Sequence, residues 1–349
     1  MKKRTLFRAA ALLWIVLNLL VAEGTTWQER AEDYDLKLAA SRKTAQCFAQ
    51  IRQYKKAHGF DYNPIMDPND TGLLGPDYSF ITTTLGNEEA KRTSINPDFA
   101  AVIVDMFSEL HLKQGDTIAV NCSGSFPALN IAVKCAAETY GLKEIGILSF
   151  GSSTHGANDP ELTYPDMEHL LWEKGLIQNR STWFSDGGMN DQGGEMPEEI
   201  RTAIEERLKG YGYLFLKAPD LKSAILDRYR LYNEGEEIKC FVNVGGNDVS
   251  FGDSMIIVYS DGGILTSLPD RDDTTGLVQL FLRDHVPVIH LLNIKSLAGK
   301  YGLPVDPSFI PEPGSAPVYW QKSYHKWICF CGIVVGAWLL YLSKEEMRK

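Results

Sequence analysis

The sequence predicts an α/β protein with a mostly parallel, doubly wound (Rossmann-like) sheet, flanked by an N-terminal and a C-terminal transmembrane helix. Three observations predict it. Between residues 96 and 292, helical patterns alternate with short apolar runs, as in a parallel sheet with crossover helices. Several of those runs end in loops of glycine, serine and asparagine, the residues that let a strand turn sharply into a helix. A long apolar segment lies near each end of the 349 residues.

Residues 6–22 read LFRAAALLWIVLNLLVA, apolar apart from Arg8 and Asn18 and preceded by Lys2, Lys3 and Arg4. A span needs about 20 residues, and Arg8 can extend the run by reaching back to the interface. A cleaved signal peptide is the competing reading, with Ala22 and Gly24 as the small residues of the cleavage site. The uncleaved anchor is preferred because helix-forming sequence follows directly. Residues 327–342 (WICFCGIVVGAWLLYL) form the second span, with Trp320, Trp327 and Tyr341 placed as interfacial aromatics and Lys344, Arg348 and Lys349 behind them. Basic residues at both ends put both termini in the cytoplasm and leave the intervening domain outside the cytoplasmic membrane.

Thr26 and Glu29 have the spacing of a capping box, so a long helix is expected over 26–58, with Leu36, Ala40, Cys47, Phe48, Ile51 and Tyr54 at helical spacing. Residues 61–94 are irregular, and their interleaved apolar and threonine residues (YSFITTTLG) predict ordered packing against the domain. Helices are then expected over 97–112, 128–140, 166–174, 198–209, 221–232 and 277–284. Strands are expected over 117–121, 144–150, 213–216, 239–244, 255–259 and 288–292. The domain is thus expected to run from 26 to 302, and the proline-rich stretch 303–320 reads as an extended tether.

Between Gly24 and Gln321 the chain carries 42 acids against 26 bases, a net charge of −16. Such a domain repels nucleic acid and anionic headgroups as bulk ligands. The six cysteines form no C-x-x-C pair, and Cys122, Cys135 and Cys240 lie in apolar runs, which favours buried free thiols over disulfides or zinc.

Three loops supply candidate chemistry. The first, after 117–121, carries Ser123, Gly124 and Ser125 and opens a helix with Pro127 in its first turn. The second carries Ser152, Ser153, Thr154 and His155. The third carries Gly245, Gly246, Asn247 and Asp248. In a parallel sheet these loops share the carboxyl edge, where ligands bind. A helix N-terminus and glycine backbone suit a phosphate or carboxylate, with Ser123, Gly124, Ser125, Ser152, Ser153, Gly245, Gly246 and Asn247 as the binding set. Ser123 or Ser125 with His155 and Asp248 would make a hydrolase site. The bland alternative is ordinary strand-to-helix turns, which use the same residues. No G-x-S-x-G elbow, Walker loop or GxGxxG motif is present, so no nucleotide or other cofactor is implied. SDGGMNDQGGE offers Asp186, Asn190, Asp191 and Glu195 as oxygen ligands for calcium, but off the EF-hand spacing, so a solvated loop is the preferred reading.

Four segments, SFITTTLGNEEAKRTSINPDFAA, NCSGSFPALNIA, LSFGSSTHGAND and FVNVGGNDVSFG, together with the apolar ends, resemble the accessory membrane proteins found with bacterial poly-γ-glutamate synthesis genes. The resemblance extends over about 61–307. It implies a noncatalytic role in making, exporting or anchoring a surface polyglutamate beside the membrane subunits of its synthase, and brings no catalytic motif. Because the polymer is a polyanion and the domain is acidic, recognition would need a local pocket, such as the helix after Ser125 or the basic pair Lys91-Arg92. Two alternatives stand beside this: a serine-dependent hydrolase or transferase acting on the polymer, and a sensor for a small anion.

Overall fold

The computed structural model describes residues 2–252, 261–268 and 275–345; the strand expected over 255–259 lies outside them. In chain order the elements are α1 (Lys2–Gly24), β1 (Trp27–Arg30), α2 (Tyr34–Ala57), β2 (Thr82–Thr84), α3 (Glu88–Ser94), α4 (Phe99–Glu109), β3 (Thr117–Cys122), α5 (Pro127–Tyr140), β4 (Lys143–Ser149), β5 (Ser152–Ser153), α6 (Tyr164–Glu173), β6 (Trp183–Ser185), α7 (Glu198–Gly210), β7 (Leu214–Phe215), α8 (Leu221–Tyr232), β8 (Ile238–Val244), α9 (Asp248–Phe251), β9 (Gly263–Leu265), α10 (Leu277–Arg283), β10 (Val288–Leu291), α11 (Ile294–Lys300), β11 (Trp320–Ser323) and α12 (Lys326–Glu345). They fall into two units, one of residues 33–319 and one of the two chain ends.

Among the described residues, the larger unit is built on a seven-stranded sheet in the order β7-β6-β4-β3-β8-β10-β9. Every neighbouring pair is parallel except β9 with β10. The chain lays strands outward from β3 to β7, returns, and places β8 on the other side of β3. The order therefore reverses between β3 and β8. All six residues of β3 are buried, as befits a strand covered on both faces. Its alternate residues serve two cores. Ile118, Val120 and Cys122 pack with residues of α2, α4 and α5, while Ala119 packs with Phe241 and residues of α8 and α10. α5 starts on Pro127 and stops at Gly141, whose left-handed backbone (φ +82) suits glycine.

Two sequence expectations are corrected here. The helix begins at Tyr34, not at Thr26. Thr25 and Thr26 bond back to carbonyls at the end of α1, and Trp27–Arg30 instead pairs antiparallel with Trp320–Ser323, so no capping box forms. Residues 303–319 are no loose tether. Leu303, Ala316, Val318 and Tyr319 are buried, Tyr319 Oη donates to Asp98 and is also hydrogen-bonded to Ser41, and Arg92 Nε bonds Asp306 at 2.6 Å. Prolines make this stretch extended, and its buried side chains strap it to the domain, which therefore ends at Tyr319.

The smaller unit pairs α1 with α12 in antiparallel fashion. Both are long and apolar enough to cross a membrane, at 20 and 19 residues. A Cβ on Gly332 would fall 2.1 Å from Asn18 Oδ1, and one on Gly336 3.5 Å from Ile15. This is a small-xxx-small contact, in which glycine lets two backbones approach. Asn18 Nδ2 donates to Ile328 O and Trp14 Nε1 to Gly332 O, so these two side-chain donors find acceptors on the partner helix.

Candidate functional site

The carboxyl ends of β3 and β8, where the strand order reverses, open into a cleft with two lobes. The first lobe, about 370 Å³, is lined by Thr83, Thr84, Ser123, Ser125, Ser149, Gly151, Gly188, Met189, Gly246, Asn247 and Asp248. The second, about 420 Å³, is lined among others by Asn87, Lys91, Ser125, Phe126, Ser153 and Lys295. Thr84, Ser125 and Gly246 belong to both. Ligands of parallel α/β sheets bind at this kind of crevice.

A buried amide network holds the floor. Asn121 of β3 and His290 of β10 are both register partners of Asn243 on β8. Asn121 Nδ2 donates to Asn247 Oδ1 at 3.0 Å and to Ser250 Oγ at 2.9 Å. The single Ser250 hydroxyl proton is in turn shared between Asn243 Oδ1 and Asn247 Oδ1, and Asn243 Nδ2 donates to Gly245 O. Satisfied networks of this kind rigidify the loops they join. This one leaves Asn247 Nδ2, on the wall of the first lobe, with no partner among the described residues.

The expected binding residues take different places. Ser123 is buried, and its Oγ accepts from Ser125 N at 3.2 Å. Gly124 lets two loops meet, since a Cβ there would lie 2.8 Å from the carbonyls of Phe150 and Gly151. Gly245 has φ +82 and packs behind Ser123 rather than lining the cleft. Ser152 is also structural: its Oγ donates to Gly124 O at 3.0 Å and is fully buried. Ser123, Ser125, Ser153, Gly246 and Asn247 line the cleft.

The serine–histidine–aspartate arrangement does not assemble. His155 adopts φ +58, its amide donates to Pro76 O, and its Nδ1 lies 3.7 Å from Asp77. No hydrogen bond joins it to Ser123, Ser125 or Asp248; Asp248 instead accepts from Asn190 N at 2.7 Å. The acids of the 185–195 loop are likewise engaged. Asp191 pairs with the buried Arg228 at 2.8 Å, Glu195 accepts from Met189 N, and Asp186 lies 3.7 Å from Arg201. Burial, with Glu205 nearby, pushes the Asp186 carboxyl up to about 7 against the pull of Arg201. Among the described residues no cluster of three metal-ligating side chains forms.

Sequence reasoning singled out Lys91 only as half of a basic pair, and the two halves part company. Arg92 turns outward to Asp306 and Glu88. Lys91 turns inward, 1% exposed, and its Nζ donates to Ser125 O and, at 2.7 Å, to Ser153 Oγ. The ammonium sits 4.3 Å from the Phe126 ring centroid. Gly86 makes room for it, because a Cβ there would lie 2.8 Å from Lys91 Cε. Among the described residues no carboxylate lies within ion-pairing distance of Lys91, and burial alone brings its amine down to about 7. A lysine among ordinary helix residues carries no sequence signal of this.

Compared with known proteins, the chain matches no family model, no curated protein and no solved structure.

Proposed function

We propose that this chain is a membrane-anchored component of a system that makes, exports or anchors a cell-surface polyglutamate, and that its cleft receives a γ-linked glutamate segment. The observation that carries this reading is convergence. Each of the four segments that resemble the poly-γ-glutamate accessory proteins supplies residues to this one cleft: Thr83 to Lys91, Ser123 to Phe126, Ser149 to Ser153, and Gly246 to Asp248. The parallel sheet gathers the last three at one edge, and the pairing of β2 with β5 adds the first, which no strand of that sheet carries.

The chemistry of the lining is compatible. Hydroxyls and the unpartnered Asn247 amide suit the amide groups of the polymer backbone. Lys295 at the rim of the second lobe suits a carboxylate; its present partner, Glu89 at 2.6 Å, is half exposed and exchangeable at little cost. A local cationic end is what a domain of net charge −16 needs to take an anionic chain. In this reading α1 and α12 cross the cytoplasmic membrane, both termini stay inside, and the doubly wound domain meets the polymer or the synthase subunits outside. Calorimetric titration of the detergent-solubilised full chain with γ-linked glutamate oligomers tests it. Saturable binding, weakened several-fold by Lys295→Glu, is expected; absence of binding, or binding indifferent to Lys295, overturns it.

A further inference from the structure

We propose that Ser153 and Lys91 form a nucleophile–base pair in the second lobe, able to transfer or hydrolyse an amide-bonded acyl group. This rests on the reading that the cleft receives an amide-linked chain. Three geometric facts carry it. The Lys91 Nζ to Ser153 Oγ distance of 2.7 Å is within the reach required of a base and its nucleophile. Both residues line the same open lobe, although Ser153 is only 5% exposed and Lys91 1%. Among the described residues Lys91 also has no counterion of the kind buried lysines ordinarily have: elsewhere in this chain Lys134 is held by Glu144 at 2.7 Å and Glu168 at 3.0 Å.

The charged groups on the elements around Lys91 are otherwise engaged. Glu88 and Arg92 of α3 pair with each other, Arg92 also with Asp306, and Glu89 pairs with Lys295 of α11. His155, beyond β5, faces Asp77. Desolvation therefore acts on Lys91 unopposed, and near neutrality much of it is the free amine a general base must be. Ser125 completes the arrangement. Its Oγ accepts from Ser153 N at 3.0 Å and donates to no described residue, so its proton is available to a developing oxyanion.

The step balances within these groups. Ser153 Oγ adds to the amide carbonyl carbon while its proton passes to Lys91 Nζ. The C–N bond then breaks, Lys91 returns the proton to the departing nitrogen, and an ester remains on Ser153. Water, or an amine acceptor, adds to that ester and gives a proton to Lys91. The C–O bond breaks and the proton returns to Ser153. The net reaction is amide plus water to acid plus amine, or exchange of one amine for another.

The test treats the full-length protein in detergent with a fluorophosphonate at pH 8 and maps adducts by peptide mass spectrometry, with γ-glutamate oligomer binding measured in parallel. A single adduct on Ser153, absent in Ser153→Ala and formed on the order of 100-fold more slowly in Lys91→Met, is expected. Mapping the wild-type protein keeps the test independent of how either variant folds. Oligomer binding with no Ser153 adduct overturns the nucleophile and leaves the binding reading standing. A Ser153 adduct without oligomer binding upholds the pair and removes the polyglutamate substrate. A Ser153 adduct formed equally fast in Lys91→Met overturns the role of the lysine.

Discussion

Replacing Lys91 by methionine should make the protein more stable at pH 6 and less stable at pH 10. The side chain is nearly inaccessible and its amine titrates near 7 instead of 10.5 because burial penalises the charge. That difference, at 1.36 kcal/mol per unit, amounts to about 5 kcal/mol charged against the folded state whenever Lys91 is protonated. Methionine keeps the apolar stem but leaves Ser125 O and Ser153 Oγ without their donor, costing roughly 1 kcal/mol each. The variant should therefore gain about 3 kcal/mol below pH 7. A group depressed in the folded state confers its full stability above the unfolded value of 10.5 and loses it as pH falls through about 7. Between those limits the wild type should recover about 1.4 kcal/mol per pH unit relative to the variant, with the two crossing near pH 9. Urea unfolding of both full-length proteins in detergent, followed by tryptophan fluorescence at pH 6 to 10, measures the difference, from which groups common to both cancel. A variant that is less stable by the same amount at every pH would show that Lys91 is an ordinary charged lysine, and would remove the base from the proposed pair.

Asp186→Asn should leave Tm unchanged near pH 4 and raise it progressively toward pH 7. The wild-type carboxyl, raised to about 7, gives its stability below the unfolded value and loses it as pH rises through 7; differential scanning fluorimetry would detect a flat difference if this were wrong. Lys134→Met should cost about 3–5 kcal/mol, because Glu144 and Glu168 stay buried without their ammonium, and an unchanged unfolding midpoint would refute that. Ser250→Ala should cost about 1–3 kcal/mol by stripping Asn121, Asn243 and Asn247 of a shared partner, and should weaken ligand binding through the loosened Asn247 loop. Gly332→Ile should separate α1 from α12 by displacing Asn18, seen as lost oxidative cross-linking between cysteines placed at Ile15 and Gly336.

Long, strongly periodic segments were legible in the sequence. α8 spans the 221–232 of its pattern, and α5 and β8 differ from theirs by a single residue at one end. Strands of two or three residues mostly were not, although β7 falls inside the expected 213–216. β6, with only Trp183–Ser185, carries too few positions for any period to register, yet it joins β4 to β7 and completes that side of the sheet. The residues 26–33 were misread because a capping-box spacing reports only local preference, whereas β1 is fixed by a partner nearly 300 residues away at Trp320–Ser323. The strap 303–319 was misread for a related reason: proline content announces extended backbone but not whether the side chains between the prolines are buried.

The candidate site shows the same division. The three glycine- and serine-bearing loops could be placed at one edge because a parallel sheet puts every strand's carboxyl end on the same side. Their pairing could not be, since it depends on strand order, and the order puts β3 beside β8 so that Ser123 and Gly246 share a wall. His155 was the natural partner for a serine by residue type, but its left-handed backbone directs it to Asp77. The base-like group comes instead from α3, a seven-residue helix preceding the whole sheet, delivered by β2 pairing with β5 at Thr82–Ser152. That short pairing is what converts a row of turns into a cleft. It brings the segment carrying Gly86 and Lys91 over the strand ends, where the missing Cβ of Gly86 leaves room for the lysine stem to reach Ser153. Substituting Gly86 with alanine should therefore act on the site and on the fold around it: the added Cβ would lie 2.6 Å from Thr154 O and 2.8 Å from Lys91 Cε, so the unfolding midpoint should fall and the Ser153 adduct should form more slowly, and equal labelling of both folded proteins would show that the Lys91 position is not set by this contact.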